Sequence, residues 1–189
     1  LDRIYDIAKK YGIILIEDCR SSLGGTYKGK KIGNLRADMT IFSTNPSNSK
    51  YAISRSGIIV TNNEDIANRA KLLRTHALTT TYDSYGNLDY VYDVVDIGHK
   101  YDLSELDAAY ALAQLNKTQN FIKRRKEIAK LYQKRLTAVK HIVIPPHNDE
   151  HIFTQFIIKV SRNRDAFARA LKERGVSTGL NYIPLHLLS

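Results

Sequence analysis

Hydrophobic and polar positions along the chain follow two different periods, which predict helices and strands in turn. Residues 2–11 carry their apolar side chains at helical spacing, and Gly12 is placed to end the helix. Residues 13–16 are a continuous apolar run, the form expected of a strand covered on both faces. A helix that feeds such a strand is half of an α/β repeat. The ligand crevice is therefore expected beyond the strand's carboxyl end, where Asp18 lies.

The next two apolar segments enclose a long polar loop. A short β-branched strand starts at Thr40 and ends at Phe42, and a second apolar run covers residues 58–61. Between them, residues 43–57 are rich in Ser, Asn and Pro and show no hydrophobic period. Long loops between buried strands usually carry the chemistry of a protein. This loop is therefore the first candidate for a functional site.

The rest of the chain alternates helical patterns with less regular segments. Residues 75–95, which include several tyrosines, are predicted to be irregular, and residues 28–33 are predicted to form a basic hairpin. A strand is expected at residues 151–160. Helices are expected at residues 63–73, from a Ser104 cap to residue 115, at 123–136, and at 164–174, where Gly175 ends the last one.

Composition narrows the classes of protein. With 189 residues, 43% of them hydrophobic, the chain can form a sizeable core, and no apolar run reaches the ~20 residues of a membrane span. A cytoplasmic protein without membrane contact is expected. The single cysteine, Cys19, excludes an internal disulfide framework and a multi-cysteine metal site. No metal site is predicted.

The net charge of +10 indicates anionic partners. Nothing typical of nucleic-acid binding, such as an aromatic stacking platform or a zinc pattern, accompanies the charge. A solvated basic helix face and an anionic nucleotide-sugar ligand are therefore preferred to DNA or RNA. The excess is concentrated in one stretch that holds a single acid, Glu127, and nine cations: Lys117, Lys123, Arg124, Arg125, Lys126, Lys130, Lys134, Arg135 and Lys140.

The polar loop resembles the cofactor loop of the pyridoxal-phosphate-dependent sugar aminotransferases of the DegT/DnrJ/StrS type. Its matching residues are Phe42, Ser43, Pro46, Ser47 and Gly57. Further blocks match in the right order, so that the resemblance extends over essentially the whole chain. The position of the family's Schiff-base lysine is occupied by Asn48, and where the family has G-D/E-G-G the chain has Ser54, Arg55, Ser56 and Gly57.

The resemblance implies a role for each of several residues. Asp18 matches the aspartate that pairs with the pyridinium nitrogen of pyridoxal phosphate and keeps the ring protonated. Ser43 matches the serine that binds the cofactor phosphate, and Lys100 matches a turn that reaches the phosphate of the neighbouring subunit. Departures from the family also occur: Ser21 replaces a cofactor-contacting Gln or His, and Asn181 replaces a histidine on the substrate side, near His186.

The same resemblance implies the fold and the domain organisation. The chain is expected to be α/β, forming part of the fold type I large domain, a mainly parallel sheet with flanking helices, together with the start of the small α+β domain. Residues 1–122 are assigned to the large domain, 123–140 to a connecting helix and 141–189 to the small domain. Because the chain starts without methionine inside a helical pattern and stops soon after His186, it is expected to be a piece or a shortened relative of a longer protein.

Asn48 determines the expectation about activity. An asparagine forms no imine and has no proton to exchange near neutral pH, so it replaces neither the covalent anchor nor the acid-base group. Lys50 is not expected to substitute, because two residues of loop can place the root of its side chain up to ~7 Å from that of residue 48. The family activity is transfer of an amino group from an amino-acid donor, such as glutamate, to a nucleotide-linked keto-sugar, in a homodimer. The chain as written is expected to be inactive.

Alternative interpretations remain open at this point. The chain could belong to a working aminotransferase whose lysine comes from elsewhere. It could hold pyridoxamine phosphate without a covalent bond, as the related sugar dehydratases do, or it could be a non-catalytic remnant or binding partner. A nucleic-acid-binding module rests on charge alone and is the least favoured.

Overall fold

A computed structural model gives the fold, and the structure describes residues 1–44, 56–80, 92–146, 148–180 and 182–188. The chain divides into two compact units. The first comprises residues 1–126 and 148–154, and the second comprises residues 127–147 and 155–189. In chain order the elements are α1 (Asp2–Tyr11), β1 (Ile16–Asp18), β2 (Thr26–Tyr27), β3 (Lys30–Lys31), β4 (Met39–Ser43), β5 (Gly57–Val60), α2 (Glu64–Arg74), β6 (Leu78–Thr80), β7 (Tyr92–Val94), α3 (Glu105–Leu115), α4 (Thr118–Leu136), β8 (Ile142–Val143), β9 (Lys159–Val160), α5 (Arg164–Glu173) and a 3-10 turn (Leu185–Leu187).

A three-stranded sheet in the order β1-β4-β5 forms the centre of the first unit. β1 and β4 are parallel, whereas β4 and β5 are antiparallel. The expected α/β class is confirmed, but only one of the two strand pairs in this sheet is parallel. Helix α1 ends at Gly12, whose φ of 63° is left-handed and whose N–H donates to the Ala8 carbonyl, as the sequence predicts.

The first strand differs from its prediction. It covers Ile16–Asp18 rather than residues 13–16, and Ile13 and Ile14 are 55% and 68% exposed. The expectation of a strand covered on both faces is therefore wrong for the residues described. In addition, β1 lies at the edge of the sheet and pairs with β4 alone among the described strands, and Ile16 on one of its faces is 53% exposed. The described residues therefore leave the side chains of this apolar run largely exposed.

The basic hairpin and the capped helices agree with the sequence. Lys28 and Gly29 have φ values of 50° and 77° between the paired residues Tyr27 and Lys30, as a two-residue turn between antiparallel strands requires. Asn63 accepts a hydrogen bond from the Ile66 N–H at the start of α2. The predicted helices at residues 63–73, 104–115, 123–136 and 164–174 correspond to α2, α3, α4 and α5, and α4 starts at Thr118.

Two predicted segments are corrected. Residues 75–95 are not irregular throughout. The strands β6 and β7 lie near the two ends of this segment and pair with each other. The strand expected at residues 151–160 is only Lys159–Val160, which pairs with β8 in the second unit. Its earlier part instead packs Ile152 and Phe153 inside the first unit, where they are 7% and 9% exposed. A hydrophobic run indicates that residues are buried, but the buried residues Ile152 and Phe153 do not lie in a strand.

The helices of the described segments are too short or too polar to cross a membrane.

Candidate active site

The register of the sheet places Asp18 and Ser43 on one face. Asp18 in β1 is paired with Ile41 in β4, so the two side chains project from the same side. Ser43 follows Ile41 by two residues and therefore shares that side. Given a rise of about 3.3 Å per residue and a strand spacing of about 4.8 Å, the Cα atoms of Asp18 and Ser43 are about 8 Å apart. Two predicted cofactor residues thus meet at the carboxyl edge of parallel strands.

This face is open, in contrast to the opposite one. Ile16 and Ile59, which share the side of Asp18, are 53% and 54% exposed. On the opposite side, Thr40 and Phe42 are each 3% exposed. A concave ligand surface needs such an accessible face next to polar groups. The open side of the sheet at Asp18 and Ser43 is therefore the candidate site.

The carboxylate of Asp18 is paired with a neighbouring arginine. Arg20 Nε donates to Asp18 Oδ1 and Oδ2 at 2.9 and 3.0 Å, and the Arg20 backbone N–H lies 3.3 Å from Oδ1. These side-chain hydrogen bonds hold the pKa of Asp18 below its ordinary value of 3.8. The side chain is still 56% exposed. Asp18 is therefore ionised at neutral pH and accessible, and Arg20 competes for it.

The neighbouring acid, Glu17, faces the other way. It accepts a hydrogen bond from the Tyr5 hydroxyl of α1 and one from Thr40 Oγ1 at 3.3 Å. Burial, followed by the hydrogen bond to Glu17, raises the pKa of Tyr5 above its ordinary value of 10.0. Burial is likewise the main reason that the pKa of Cys19 is raised. Glu17 anchors the helix to the sheet and is not available to a ligand.

The ends of the polar loop are held together at the same edge. Ser43 is paired with Gly57 across β4 and β5. One residue further, the Thr44 N–H donates to the Ser56 carbonyl at 3.0 Å, and Thr44 Oγ1 donates to it at 3.1 Å. The loop thus leaves and re-enters the sheet beside Ser43. Asn48 and Lys50 lie outside the described residues.

The other predicted site residues are placed separately. Ser21 is exposed and lines a cleft next to the β2–β3 hairpin. Lys100 is exposed and pairs by its backbone with Thr75, just after α2. His186 is exposed in the 3-10 turn of the second unit, and Asn181 lies outside the described residues. Of the predicted site residues that the structure describes, only Asp18 and Ser43 are brought together by the sheet.

One contributor to the site was not predicted. Arg20 follows Asp18 by two residues, a spacing at which a side chain can reach back to a carboxylate, and its hydrogen bonds lower the pKa of Asp18. Gly98 belongs to the separate Lys100 turn, where a Cβ would lie 2.2 Å from the Ala77 nitrogen, so that only glycine fits. Within the described parts of the chain, no group of three or more His, Cys, Asp or Glu residues could hold a metal ion.

Comparison with known proteins gives a consistent result. The uncharacterized protein MJ1066 of Methanocaldococcus jannaschii is 33% identical over 99% of this chain and 50% of its own length. The structure of Helicobacter pylori PseC, an aminotransferase involved in the biosynthesis of pseudoaminic acid, matches all of the chain and 50% of its own with a TM-score of 0.86 at 23% identity. The PLP form of the putative sugar aminotransferase Spr1654 from Streptococcus pneumoniae gives a TM-score of 0.79 at 22% identity, over 100% of this chain and 51% of its own.

The chain thus spans about half the length of these relatives. The model of the DegT/DnrJ/EryC1/StrS aminotransferase family matches residues 1–189, which is the whole chain. The match over the full chain, together with the 33% identity to the MJ1066 protein, leads to one conclusion: this chain belongs to the DegT/DnrJ/EryC1/StrS aminotransferase family.

Proposed function

We propose that this chain binds pyridoxal phosphate through Asp18 and Ser43 as part of a sugar-aminotransferase pocket, and that Asn48 prevents it from transferring amino groups. The observation that carries the proposal is the placement of an ionised, accessible carboxylate and a serine on the same open face of the sheet. The membership of the family and the PLP form of the Spr1654 protein support the choice of cofactor.

The residues fit the two ends of this cofactor. Asp18 would accept a hydrogen bond from the protonated ring nitrogen, after exchanging the Arg20 guanidinium for it. The hydroxyl of Ser43, at the edge of the sheet where the polar loop begins, would donate to the phosphate. When bound, pyridoxal phosphate supplies a carbonyl that carries the amino group and a ring that accepts electrons. The protein then needs only to hold and orient it.

Residue 48 sets the limit of the chemistry. The carboxamide of Asn48 has no amine for covalent attachment, and it does not titrate near neutral pH. The chain therefore lacks the group that moves a proton at the substrate carbon. The whole family protein is proposed to act on a nucleotide-linked keto-sugar with an amino-acid donor, as a homodimer. This chain would retain the cofactor site and part of the sugar site without turnover.

The test compares the chain with its Asn48→Lys variant after incubation with pyridoxal phosphate and reduction by borohydride. Peptide mass spectrometry then locates the reduced cofactor. We expect a stoichiometric label at residue 48 in the variant, and reversible binding in the unmodified chain without a specific site of attachment. An Asn63→Lys variant controls for non-specific labelling, because Asn63 caps α2 away from the loop.

Two results would contradict the proposal. A stoichiometric label at Lys50 in the unmodified chain would show that another lysine serves and that the chain is not limited by Asn48. Absence of cofactor binding by both chains would show that Asp18 and Ser43 do not form a pocket.

A further inference from the structure

The cleft lined by Ser21 lies in the first unit beside the β2–β3 hairpin and has a volume of about 260 Å³. It is formed between this hairpin, the turn after β1 and the segment 148–154, which packs back into the first unit after α4. The cleft shares Ser21 with the predicted cofactor residues, but it does not include Asp18 or Ser43. Its lining residues are Ser21, Ser22, Gly25, Thr26, Tyr27, Ile32, Asn148, Glu150, His151, Ile152 and Thr154.

The floor of the cleft is apolar and closely packed. Ile152 is 7% exposed, and Gly25 is buried. A Cβ at Gly25 would meet Ile32 Cδ1 at 3.2 Å and Ile152 Cγ2 at 3.4 Å. The floor is thus set by the absence of a side chain at Gly25. The side of the floor that faces the cleft is therefore apolar.

The rim carries uncharged hydrogen-bonding groups that remain available. The hydroxyls of Ser21, Ser22 and Thr154 form no hydrogen bond with another described residue. His151 Nδ1 accepts from the Phe153 N–H at 2.9 Å, which leaves Nε2 of the neutral ring as a donor. Asn148 Oδ1 accepts from the Glu150 N–H at 2.9 Å, which leaves its amide nitrogen as a further donor.

The segment that carries half of the rim is held in place. Glu150 Oε1 accepts from the Gly29 N–H of the hairpin turn at 2.8 Å, and this backbone hydrogen bond is the main reason that the pKa of Glu150 lies below its ordinary value. The Lys126 ammonium also donates to the Asp149 carbonyl. The one carboxylate of the cleft is thus engaged in positioning the segment. A site whose polar groups are fixed before binding loses little entropy when a ligand enters.

The chemistry of the cleft favours an uncharged polyol. Among the described residues that line it there is no lysine or arginine, and its one charge is negative. A phosphate would therefore find no cation in the lining. Several hydroxyl and amide groups around an apolar floor suit a pyranose ring, which has an apolar face and a rim of hydroxyls. We propose that this cleft is a binding site for a neutral sugar ring.

The identification of the natural ligand as the sugar portion of the substrate rests on the proposed function, whereas binding of a pyranose does not. The probe is methyl β-D-glucopyranoside, and its binding to the chain without cofactor is measured by saturation-transfer NMR titration. Uridine 5′-monophosphate serves as an anionic probe. We expect saturation transfer to the ring protons of the pyranoside, and no displacement of the pyranoside by the nucleotide.

Variants locate the binding. Ser22→Ala and Thr154→Val each remove one hydroxyl, and each is expected to weaken pyranoside binding about fivefold. Ser161→Ala removes an exposed hydroxyl in the second unit and is expected to leave the affinity unchanged. Both cleft variants alter residues that have no hydrogen-bond partner through the removed hydroxyl among the described residues, so the fold is not expected to change.

The outcomes separate this inference from the proposed function. Equal affinity of the native chain and both cleft variants, absence of transfer to the pyranoside, or displacement of the pyranoside by the nucleotide would each overturn the sugar site. An Asp18→Asn variant that loses pyridoxal phosphate but still binds the pyranoside supports both proposals. A chain that binds the pyranoside at the cleft and never binds pyridoxal phosphate supports the sugar site and overturns the proposed cofactor site.

Discussion

The two faces of the central sheet are built from the same three strands and differ in almost every physical respect. On the side of α1, Thr40 and Phe42 are each 3% exposed, and Glu17 accepts a hydrogen bond from Tyr5. On the other side, Ile16 and Ile59 are more than half exposed. Two acids that are adjacent in sequence, Glu17 and Asp18, therefore have different tasks. Glu17 holds α1 against the sheet through a hydrogen bond, whereas Asp18 is accessible to a ligand.

The comparison shows that the position of a residue in the alternation along a strand decides which face its side chain occupies, and therefore whether a ligand can reach it. Side chains alternate along β1, so residue types alone do not say which acid is accessible. The pairing of Asp18 with Ile41 settles the side, and Ser43 follows from it. The partners of the two acids differ as well, because Asp18 accepts from the Arg20 guanidinium and Glu17 accepts from the Tyr5 hydroxyl. The predictions below test whether the two faces are as distinct as this comparison requires.

The largest effect is expected from truncating the covered face. Phe42→Ala should lower the free energy of unfolding by about 3–5 kcal/mol, because it removes a ring that is 3% exposed and leaves a cavity. Urea unfolding followed by circular dichroism measures the change. The matched variant on the open face is Ile59→Ala, at a residue that is 54% exposed, and it should cost less than about 1 kcal/mol. Equal losses would mean that the faces are not differently covered.

A smaller effect, dependent on pH, is expected from the hydroxyl between α1 and the sheet. The raised pKa means that the folded state holds the Tyr5 proton more tightly than the unfolded state does. This contribution to stability is complete below about pH 10 and is lost as the pH rises further. Tyr5→Phe should therefore cost about 1 kcal/mol at pH 7 and show a shallower alkaline decline than the native chain. Parallel alkaline profiles for the two chains would contradict the assignment.

The smallest effect is expected from the exposed pair on the open face. Arg20→Ala should raise the pKa of Asp18 towards its ordinary value of 3.8, with little change in stability at neutral pH, because both side chains are more than half exposed. Carbon-detected NMR titration of the Asp18 carboxyl measures the shift. Since the pKa is lowered in the folded state, the contribution of the pair is present above the ordinary pKa and is lost as the pH falls through the folded one. An unchanged titration in Arg20→Ala would show that Arg20 does not set the charge of Asp18.

Much of the local structure could be predicted from the sequence. Gly12 and Asn63 mark helix ends by chemistry that acts within a few residues, and Lys28 and Gly29 mark a turn in the same way. The residues of the candidate site came from the resemblance of the loop and of the strand end to a family. These signals either act between residues that are close in sequence or belong to a recognised family motif.

The errors concern features that depend on distant contacts. Residues 13–16 suggest a strand buried on both faces, but β1 starts only at Ile16, and Ile13, Ile14 and Ile16 are each more than half exposed. Residues 151–160 contain an apolar run that divides between two units instead of forming one strand. The Asp18 and Arg20 pair, likewise, depends on side-chain geometry after the strand ends. The period of hydrophobic residues along the chain does not show which other segment each residue packs against.

The most direct test of the account compares the two adjacent acids. Dissociation constants for pyridoxal phosphate are measured by equilibrium dialysis for the native chain, Asp18→Asn and Glu17→Gln, each checked for folding by circular dichroism. The account predicts that Asp18→Asn weakens binding at least about tenfold, because a charge-assisted hydrogen bond is lost, and that folded Glu17→Gln binds within about twofold of the native chain. Native affinity in Asp18→Asn, or an equal loss in folded Glu17→Gln, would contradict the claim that only the open face of the sheet binds the cofactor.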